Sequence, residues 1–168
     1  MDLAVSSDKG STQMPMIDVY AAAGRFPDAH ALAADLARTL MEIERVPNIA
    51  VFRENTAAFI HELPAAAISN VEGDSGHVRV QVLTNAGALD RDKQLAVVER
   101  LSAVVANAAG DPKLGHRTWV LLTEAVDGWG LWGHAHTNAE LVDAARAQLS
   151  KSAKRLPQGR PSRRTSAC

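Results

Sequence analysis

The feature that most constrains the fold of this sequence is an internal duplication. IDVYAAAG (17–24) is followed by a helical pattern, and so is VQVLTNAG (80–87), and the two segments end on glycines 63 residues apart. Further along, TAAFIHEL (56–63) and TWVLLTEA (118–125) align at a spacing of 62. Each copy has the order strand, helix, strand, so the chain is predicted to consist of two β-α-β units.

Caps and apolar stripes predict the two long helices. The first is expected to start at Asp28 and to stop before Pro47, and the second to start at Asp90 and to end at Gly110. Core-facing residues are predicted to be Leu32, Leu36, Leu40 and Ile43 in the first helix, and Leu95, Val98, Leu101 and Val105 in the second. Alternating apolar residues over 16–22 and 78–82 are typical of half-buried strands.

Two such units predict an α/β fold, a tandem β-α-β repeat forming a four-stranded mixed sheet with two helices on one face. Parallel strands joined by a helix require a right-handed crossover, which places each helix over the sheet. Something else must cover the opposite sheet face, and oligomerisation is the simplest solution. Thr137 and Glu140 form a capping box that predicts a third helix, reaching about Leu149.

Composition excludes several classes of protein. The only thiol is Cys168, so a disulfide framework and a cysteine-based metal site are both excluded. No apolar run approaches the roughly 18 residues of a membrane span, and the first 13 residues lack the pattern of a signal peptide. We therefore expect a cytoplasmic protein that does not interact with membranes.

The net charge of −1 averages over two unlike parts. Residues 151–168 contain six basic residues and no acid, which leaves 12 basic and 19 acidic residues in 1–150. An acidic body is a poor surface for nucleic acid, so no nucleic-acid partner is expected. We interpret 1–14 as a leader that is absent from a mature form, 15–149 as the domain (repeats about 15–63 and 77–125), and 150–168 as a disordered basic tail.

One segment resembles a known family. PMIDVYAAAGR (15–25) resembles the amino terminus of the tautomerase superfamily, in which a strand runs from a catalytic proline to a Gly-Arg pair, as in 4-oxalocrotonate tautomerase. TEAVDGWGLWG (123–133) is similar to that family's strand end and aromatic glycine turn. The duplicated layout resembles the fused members, such as macrophage migration inhibitory factor, and the resemblance covers about 15–149.

The resemblance implies a keto–enol tautomerase for a small carbonyl acid, with no cofactor, assembled as a homotrimer. Pro15 is then the catalytic base, because an amino-terminal secondary amine titrates low enough to accept a proton near neutral pH. Arg25 is expected to hold the substrate carboxylate, and Trp129 to form an apolar wall. Asn55 is a further candidate, as a hydrogen-bond donor to the substrate carbonyl.

Departures from the family pattern narrow the predicted activity. The second arginine of 4-oxalocrotonate tautomerase aligns with Ala57 or Trp119, so a dicarboxylate substrate is disfavoured, and Arg117 is the candidate substitute. The paired arginines of malonate semialdehyde decarboxylase align with Ala86 and Ala88, and its acid aligns roughly with Asn55. Decarboxylation and the water activation of haloacrylate dehalogenases are therefore also disfavoured.

Three alternatives remain open at this point. Thirteen residues precede Met14, so Pro15 has a free amine only if translation starts at Met14 or the extension is removed; otherwise the protein is a non-enzymatic oligomeric α/β module. A ferredoxin-like dimer has the same element order but does not explain the Gly-Arg pair. His134 and His136 could face one side of a strand, but a zinc site needs at least a third ligand, so no metal is predicted.

Overall fold

The computed structural model describes residues 14–154. The predicted leader up to residue 13 and the tail from residue 155 lie outside the described residues. The strands are β1 (Met16–Ala22), β2 (Ala57–Leu63), β3 (Val78–Asn85), β4 (Thr118–Ala125), β5 (Trp129–Leu131) and β6 (His134–His136). The helices are α1 (Ala29–Glu44), α2 (Ala50–Asn55), α3 (Arg91–Ala109) and α4 (Asn138–Lys154), with short 3-10 turns at Ala65–Ala67 and Pro112–Arg117.

The main sheet has four strands in the order β2-β1-β3-β4. Strands β1 and β2 are parallel, as are β3 and β4, while the central pair β1 and β3 is antiparallel. Each parallel pair is the product of one β-α-β unit, so the predicted mixed sheet is confirmed. Because the two central strands are antiparallel, the start of β1 and the end of β3 lie at the same end of the sheet.

The two repeats have the same local conformations. Gly24 and Gly87, which follow β1 and β3, both have a left-handed backbone, with φ of 75° and 78°. Only glycine adopts this region without a steric penalty, which explains its recurrence after both strands. The predicted caps are also confirmed: Asp28 accepts a hydrogen bond from the Ala31 amide at 2.9 Å, and Asp90 accepts one from the Lys93 amide at 2.9 Å.

Both long helices pack on one face of the sheet. The predicted stripe of α1 is buried as expected, together with the alternate residues of β1 and β3. In α3 the prediction is half wrong: Leu101 and Val105 are buried, but Leu95 and Val98 are 51% and 41% exposed. Val97 and Ala106 complete the buried stripe of α3 instead. The error arose from a run of apolar residues on adjacent helix faces, where spacing alone does not define one stripe.

The opposite face of the sheet carries large apolar side chains that no helix covers. Phe59, Trp119 and Leu121 are 53%, 47% and 46% exposed. Phe59 and Leu121 lie in one row across the four strands, because Asp18 pairs with Phe59 and with Gln81, which in turn pairs with Leu121. We refer to this surface as the open sheet face; its apolar side chains lie on the outer strands, with Asp18 and Gln81 of the central strands between them. Exposed large apolar side chains of this kind are typical of an interaction surface.

The structure departs from the sequence-based prediction at three places. Helix α2 was not predicted, because six residues are too few to show a helical period. The glycine-rich segment after β4 forms a two-stranded hairpin, β5 and β6, where a turn with one short strand was expected. Helix α4 continues to Lys154 and not to about Leu149, since alanine and lysine are good helix formers.

Among residues 14–154, no helix is both long enough and apolar enough to span a membrane.

Candidate active site

The predicted site residues lie at two opposite ends of the sheet. Pro15 immediately precedes β1, whereas Arg25 follows it, so the seven-residue strand of about 23 Å lies between them. Asn55 ends α2 just before β2, at the Pro15 end, and Trp129 packs there as well. Arg117 precedes β4, at the same end as Arg25. Within one chain the structure therefore brings Pro15, Asn55 and Trp129 together, and it does not bring Arg25 or Arg117 to them.

Pro15 is buried between two threonines on the helix-facing side of the sheet. Met16 pairs with Ala57 of β2 and with Leu83 of β3, so continuing the register by one residue places Pro15 beside Thr56 and Thr84. Both threonines are buried, at 7% and 0% exposure. The Thr84 hydroxyl donates a 2.7 Å hydrogen bond to the carboxylate of Glu44, the last residue of α1. A buried acid therefore lies behind Pro15.

On its other side, Pro15 borders an apolar cluster around Trp129. Met14 is only 1% exposed and packs in this cluster with Trp129 and Phe52. The other buried members are Val46, Val51, Leu141 and Ala145. Trp129 is held there by the β5–β6 hairpin and by α4, whose predicted capping box is confirmed by a 2.8 Å hydrogen bond from the Thr137 amide to Glu140. The side chain of Met14 therefore fills the apolar space next to the proline nitrogen.

Asn55 is partly buried at the end of α2. Its amide nitrogen donates a 2.7 Å hydrogen bond to the Val51 carbonyl one turn earlier. That bond fixes the side chain and engages one of the two N–H donors of the amide. The predicted role, a hydrogen bond to a substrate carbonyl, requires the second N–H.

A groove of about 770 Å³ lies between α1 and α2, and three arginines and Glu42 are among the residues that line it. Arg38, Arg45 and Arg53 line it, and Thr56 lies among its lining residues. Arg45 has a left-handed backbone with φ of 58°, because it caps the carboxyl end of α1, where this conformation is common. Because Thr56 is the neighbour of Pro15, the groove reaches the Pro15 end of the sheet. We refer to it as the arginine groove.

Buried polar atoms without a hydrogen-bond partner concentrate at this end. Among residues 14–154, five such side-chain atoms occur, and four of them belong to residues at the Pro15 end. These four are Glu44 Oε2, Thr56 Oγ1, Asn85 Oδ1 and Trp129 Nε1. An unsatisfied buried polar group costs about 1–3 kcal/mol, so a cluster of them indicates a site whose partners come from outside the chain.

Glu44 is the titratable group most strongly perturbed by this environment. It is 2% exposed, and its burial raises the pKa from 4.5 to about 7, against the opposing effects of the Thr84 hydrogen bond and the charge of Lys93. The carboxyl group is therefore protonated in a large fraction of molecules near neutral pH. Perturbed groups of this kind are enriched at functional sites.

This shift predicts how stability depends on pH. The unfolded chain releases the Glu44 proton near pH 4.5 and the folded protein near pH 7, so the free energy of unfolding falls as the pH rises between these values. At about 1.4 kcal/mol per pKa unit, the contribution reaches about 3 kcal/mol. Urea unfolding of wild type and Glu44→Gln at about pH 5 and about pH 8 measures it, with the exposed Glu99→Gln as control. Equal pH dependence in wild type and Glu44→Gln would contradict the assignment.

The far end of the sheet holds the two predicted arginines. Arg25 is half-buried in the turn after β1, and among the described residues its guanidinium makes no hydrogen bond or ion pair. Arg117 ends a 3-10 turn, where a strand position was expected, and donates a 2.9 Å hydrogen bond to Asp111. Arg25 is therefore available for an external carboxylate, whereas Arg117 is already paired.

The two histidines of β6 contact neighbouring groups in the hairpin and at the start of α4. His134 contacts Glu140 at 3.4 Å, and His136 Nδ1 lies 3.3 Å from the Trp129 carbonyl. Within residues 14–154, no group of three or more metal-ligating side chains converges. These histidines instead support the hairpin that carries Trp129.

Comparison with solved structures identifies the architecture. The protein described as "R7 fused 4-OT wild type asymmetric trimer" superimposes with a TM-score of 0.59 at 21% identity, over 75% of this chain and 98% of its own. N1, a member of the cis-3-chloroacrylic acid dehalogenase family, gives a TM-score of 0.61 at 21% identity, over 83% of this chain and 95% of its own. This chain has the tautomerase fold.

Other proteins of the tautomerase fold are similarly distant. The macrophage migration inhibitory factor-like protein of Entamoeba histolytica gives a TM-score of 0.55 at 17% identity, over 74% of this chain and 97% of its own. Neither a protein-family model nor a curated protein matches the sequence. The solved structures confirm the fold that the sequence resemblance implied.

Several residues of this site were missed by the sequence analysis. Glu44, Arg45 and Thr56 come together because α1 ends where β2 begins, and Arg53 follows from the unpredicted helix α2. One signal was available: Glu44 occupies a position one residue after the apolar stripe of α1, next to the predicted helix end. A charged residue at the border of a buried stripe is a candidate for a buried acid.

Proposed function

We propose that this protein is a tautomerase that catalyses keto–enol proton transfer on a small carbonyl acid, with Pro15 as the amino-terminal general base. The observation that carries the proposal is the concentration of unpartnered buried polar atoms around Pro15, on a tautomerase fold. An aromatic wall and a cationic groove meet at the same point. Concave apolar sites with a few convergent polar groups are typical of small-molecule pockets.

The reaction requires Pro15 to be the first residue, because only then is its nitrogen a secondary amine. A neutral amine takes a proton from the carbon beside the substrate ketone, forming an enol or enolate, and returns it to another carbon or oxygen. Trp129 contributes apolar surface that disfavours the ammonium form of the amine. Loss of Met14 leaves apolar space at that nitrogen, lined by Phe52 and Trp129, in which the carbon skeleton of the substrate fits.

The substrate carboxylate is assigned to arginines from two sources. Arg45 and Arg53 line the groove beside Pro15 in the same chain, and they attract an anion over a distance. Arg25 lies at the far end of β1, so it reaches a Pro15 site only if it comes from a neighbouring copy. We therefore propose a homotrimer in which each site combines Pro15 of one subunit with Arg25 of the next.

Assembly through the open sheet face predicts the effect of a charge on it. Phe59→Glu and Leu121→Glu are each expected to convert the oligomer to monomer, because an unpaired carboxylate in an apolar interface costs several kcal/mol. Light scattering coupled to size-exclusion chromatography measures the change. Val71→Glu is the matched control, since Val71 is fully exposed in the loop between the repeats. An unchanged mass for both sheet variants would reject this interface.

Two measurements on the same protein test the enzymatic proposal: the identity of the first residue and the rate of turnover. Intact mass of protein made in its own host gives the first residue, and ketonisation of enol-phenylpyruvate and of 2-hydroxymuconate gives the activity. The proposal predicts that molecules beginning at Pro15 are active and that molecules retaining residues 1–13 are inactive, because an acylated nitrogen is not basic. Activity in molecules that retain the extension would reject Pro15 as the base.

One observation favours a second candidate, a non-enzymatic oligomeric module in which Pro15 stays acylated. Met14 is 1% exposed and packs against Trp129 as an ordinary core residue. A buried methionine of this kind stabilises the fold, and it occupies the space that the tautomerase needs for substrate. A native protein that retains Met14 would support this module.

A further inference from the structure

The Glu44 carboxyl group has no part in the reaction as proposed so far, yet only the side chain of Thr84 separates it from Pro15. Its Oε1 is fixed by the Thr84 hydroxyl at 2.7 Å, and Thr84 is the cross-strand neighbour of Pro15. Opposed residues on antiparallel strands have Cβ atoms about 5 Å apart, so a single side chain separates the carboxyl group from the proline ring. Its Oε2 is buried and has no hydrogen-bond partner among the described residues.

We propose that Glu44, oriented by Thr84, is the counter-ion of the Pro15 amine and sets the fraction of that amine that carries a proton. This inference rests on the proposed function, because it requires a free amine at Pro15. Glu44 touches no substrate in this scheme, so it is a positioning residue. It is on the helix-facing side of Pro15, and it is not among the residues that line the arginine groove.

Among the described residues, no cation forms an ion pair with the Glu44 carboxylate. It is the last residue of α1, where the negative end of the helix dipole disfavours a carboxylate. From the elements packed against it, the charged group that acts on Glu44 among the described residues is Lys93 of α3. The Lys93 Nζ, however, donates to the Ala88 carbonyl at 3.3 Å and is not paired with Glu44. In this proposal an ammonium at Pro15 supplies that cation.

The Glu44 carboxylate and the Pro15 amine together also account for the proton during turnover. When the substrate C–H bond breaks, the proton forms an N–H bond on Pro15, which becomes an ammonium while the substrate becomes an enolate. A carboxylate at Glu44 stabilises that ammonium until the proton returns to the substrate, and no proton is gained or lost overall. A carboxylate within about 6 Å of an amine inside a protein is close enough to change the protonation of that amine about tenfold.

The test measures protonation of the amine directly, without turnover. Protein running from residue 15 to 168 retains every described strand and helix; it is labelled with [15N]proline, and its first residue is verified by mass. The pH dependence of the Pro15 nitrogen chemical shift then gives the pKa of the amine in wild type, Glu44→Gln, Thr84→Val and the exposed control Glu99→Gln.

The inference predicts that Glu44→Gln lowers the pKa of the Pro15 amine, so that about tenfold more of it is neutral at a pH below both midpoints. Thr84→Val is expected to act in the same direction but more weakly, and Glu99→Gln to match wild type. An unchanged midpoint in Glu44→Gln overturns the inference, even if the protein turns over carbonyl acids. A shifted midpoint in a protein without turnover supports the inference and rejects the proposed function, so the two failures are distinguishable.

Discussion

In protein that begins at residue 15, replacing Pro15 with alanine is expected to lower kcat/KM for ketonisation of a carbonyl acid by about 10²-fold or more. General acid–base catalysis contributes about 10²–10⁴-fold, and the alanine amine recovers part of that because it is still basic. The proline ring fixes the direction of the nitrogen between Thr56 and Thr84, whereas an alanine amine rotates freely. Steady-state kinetics on enol-phenylpyruvate measure the loss.

The matched control for this variant is Pro64→Ala, in the exposed segment after β2. It removes a proline far from the site and should leave kcat/KM unchanged. Equal rates for wild type and Pro15→Ala, in protein whose first residue is verified by mass, would falsify the mechanism. A loss confined to KM would also count against it, because a general base acts on the chemical step.

Replacing Arg25 with alanine is expected to cause a loss of about 10²-fold in kcat/KM, mainly through KM. A guanidinium that holds a carboxylate by two charge-assisted hydrogen bonds contributes about 3 kcal/mol or more. Arg25 and Pro15 lie at opposite ends of β1, so in the proposed trimer the two variants affect different subunits of one composite site. Mixing Pro15→Ala and Arg25→Ala subunits should therefore restore sites that contain both residues.

The extent of that recovery follows from symmetry. In a ring of subunits mixed at random in equal amounts, about a quarter of the sites pair an intact Pro15 with an intact Arg25 of the neighbour. The control mixture is Pro15→Ala with Arg45→Ala, whose two residues belong to the same side of one subunit. The activity of this mixture should not exceed the activity of the Arg45→Ala subunits that it contains. An absence of recovery in the first mixture would place Arg25 outside the Pro15 site.

Much of the fold could be predicted because its determinants are local. Asp28 and Asp90 cap their helices, Gly24 and Gly87 allow the left-handed turns after two strands, and both signals recur at the repeat spacing. A duplicated pattern also gives each element a second, independent occurrence. Parallel pairs within each repeat then follow from the crossover helix.

The site was less predictable because it is assembled from long-range neighbours. Glu44 and Thr84 are 40 residues apart in the chain and meet only through the antiparallel pairing of β1 with β3. The sequence resemblance indicated Pro15, Trp129 and Asn55, which the fold brings to one end, and it implied a strand between Pro15 and Arg25, which lies at the other end. It also favoured Arg117, which pairs with Asp111 once the 3-10 turn forms.

The burial of Met14 has a consequence for the timing of maturation. Peptidases act on extended, accessible backbone, and the bond between Met14 and Pro15 joins two buried residues at the start of a central strand. Cleavage after folding would require the strand end and the hairpin that carries Trp129 to open first. Any removal of Met14 therefore belongs to the period of synthesis, before the sheet closes. Whether Pro15 has a free amine or an acylated nitrogen is therefore determined before folding, and the folded structure keeps that state.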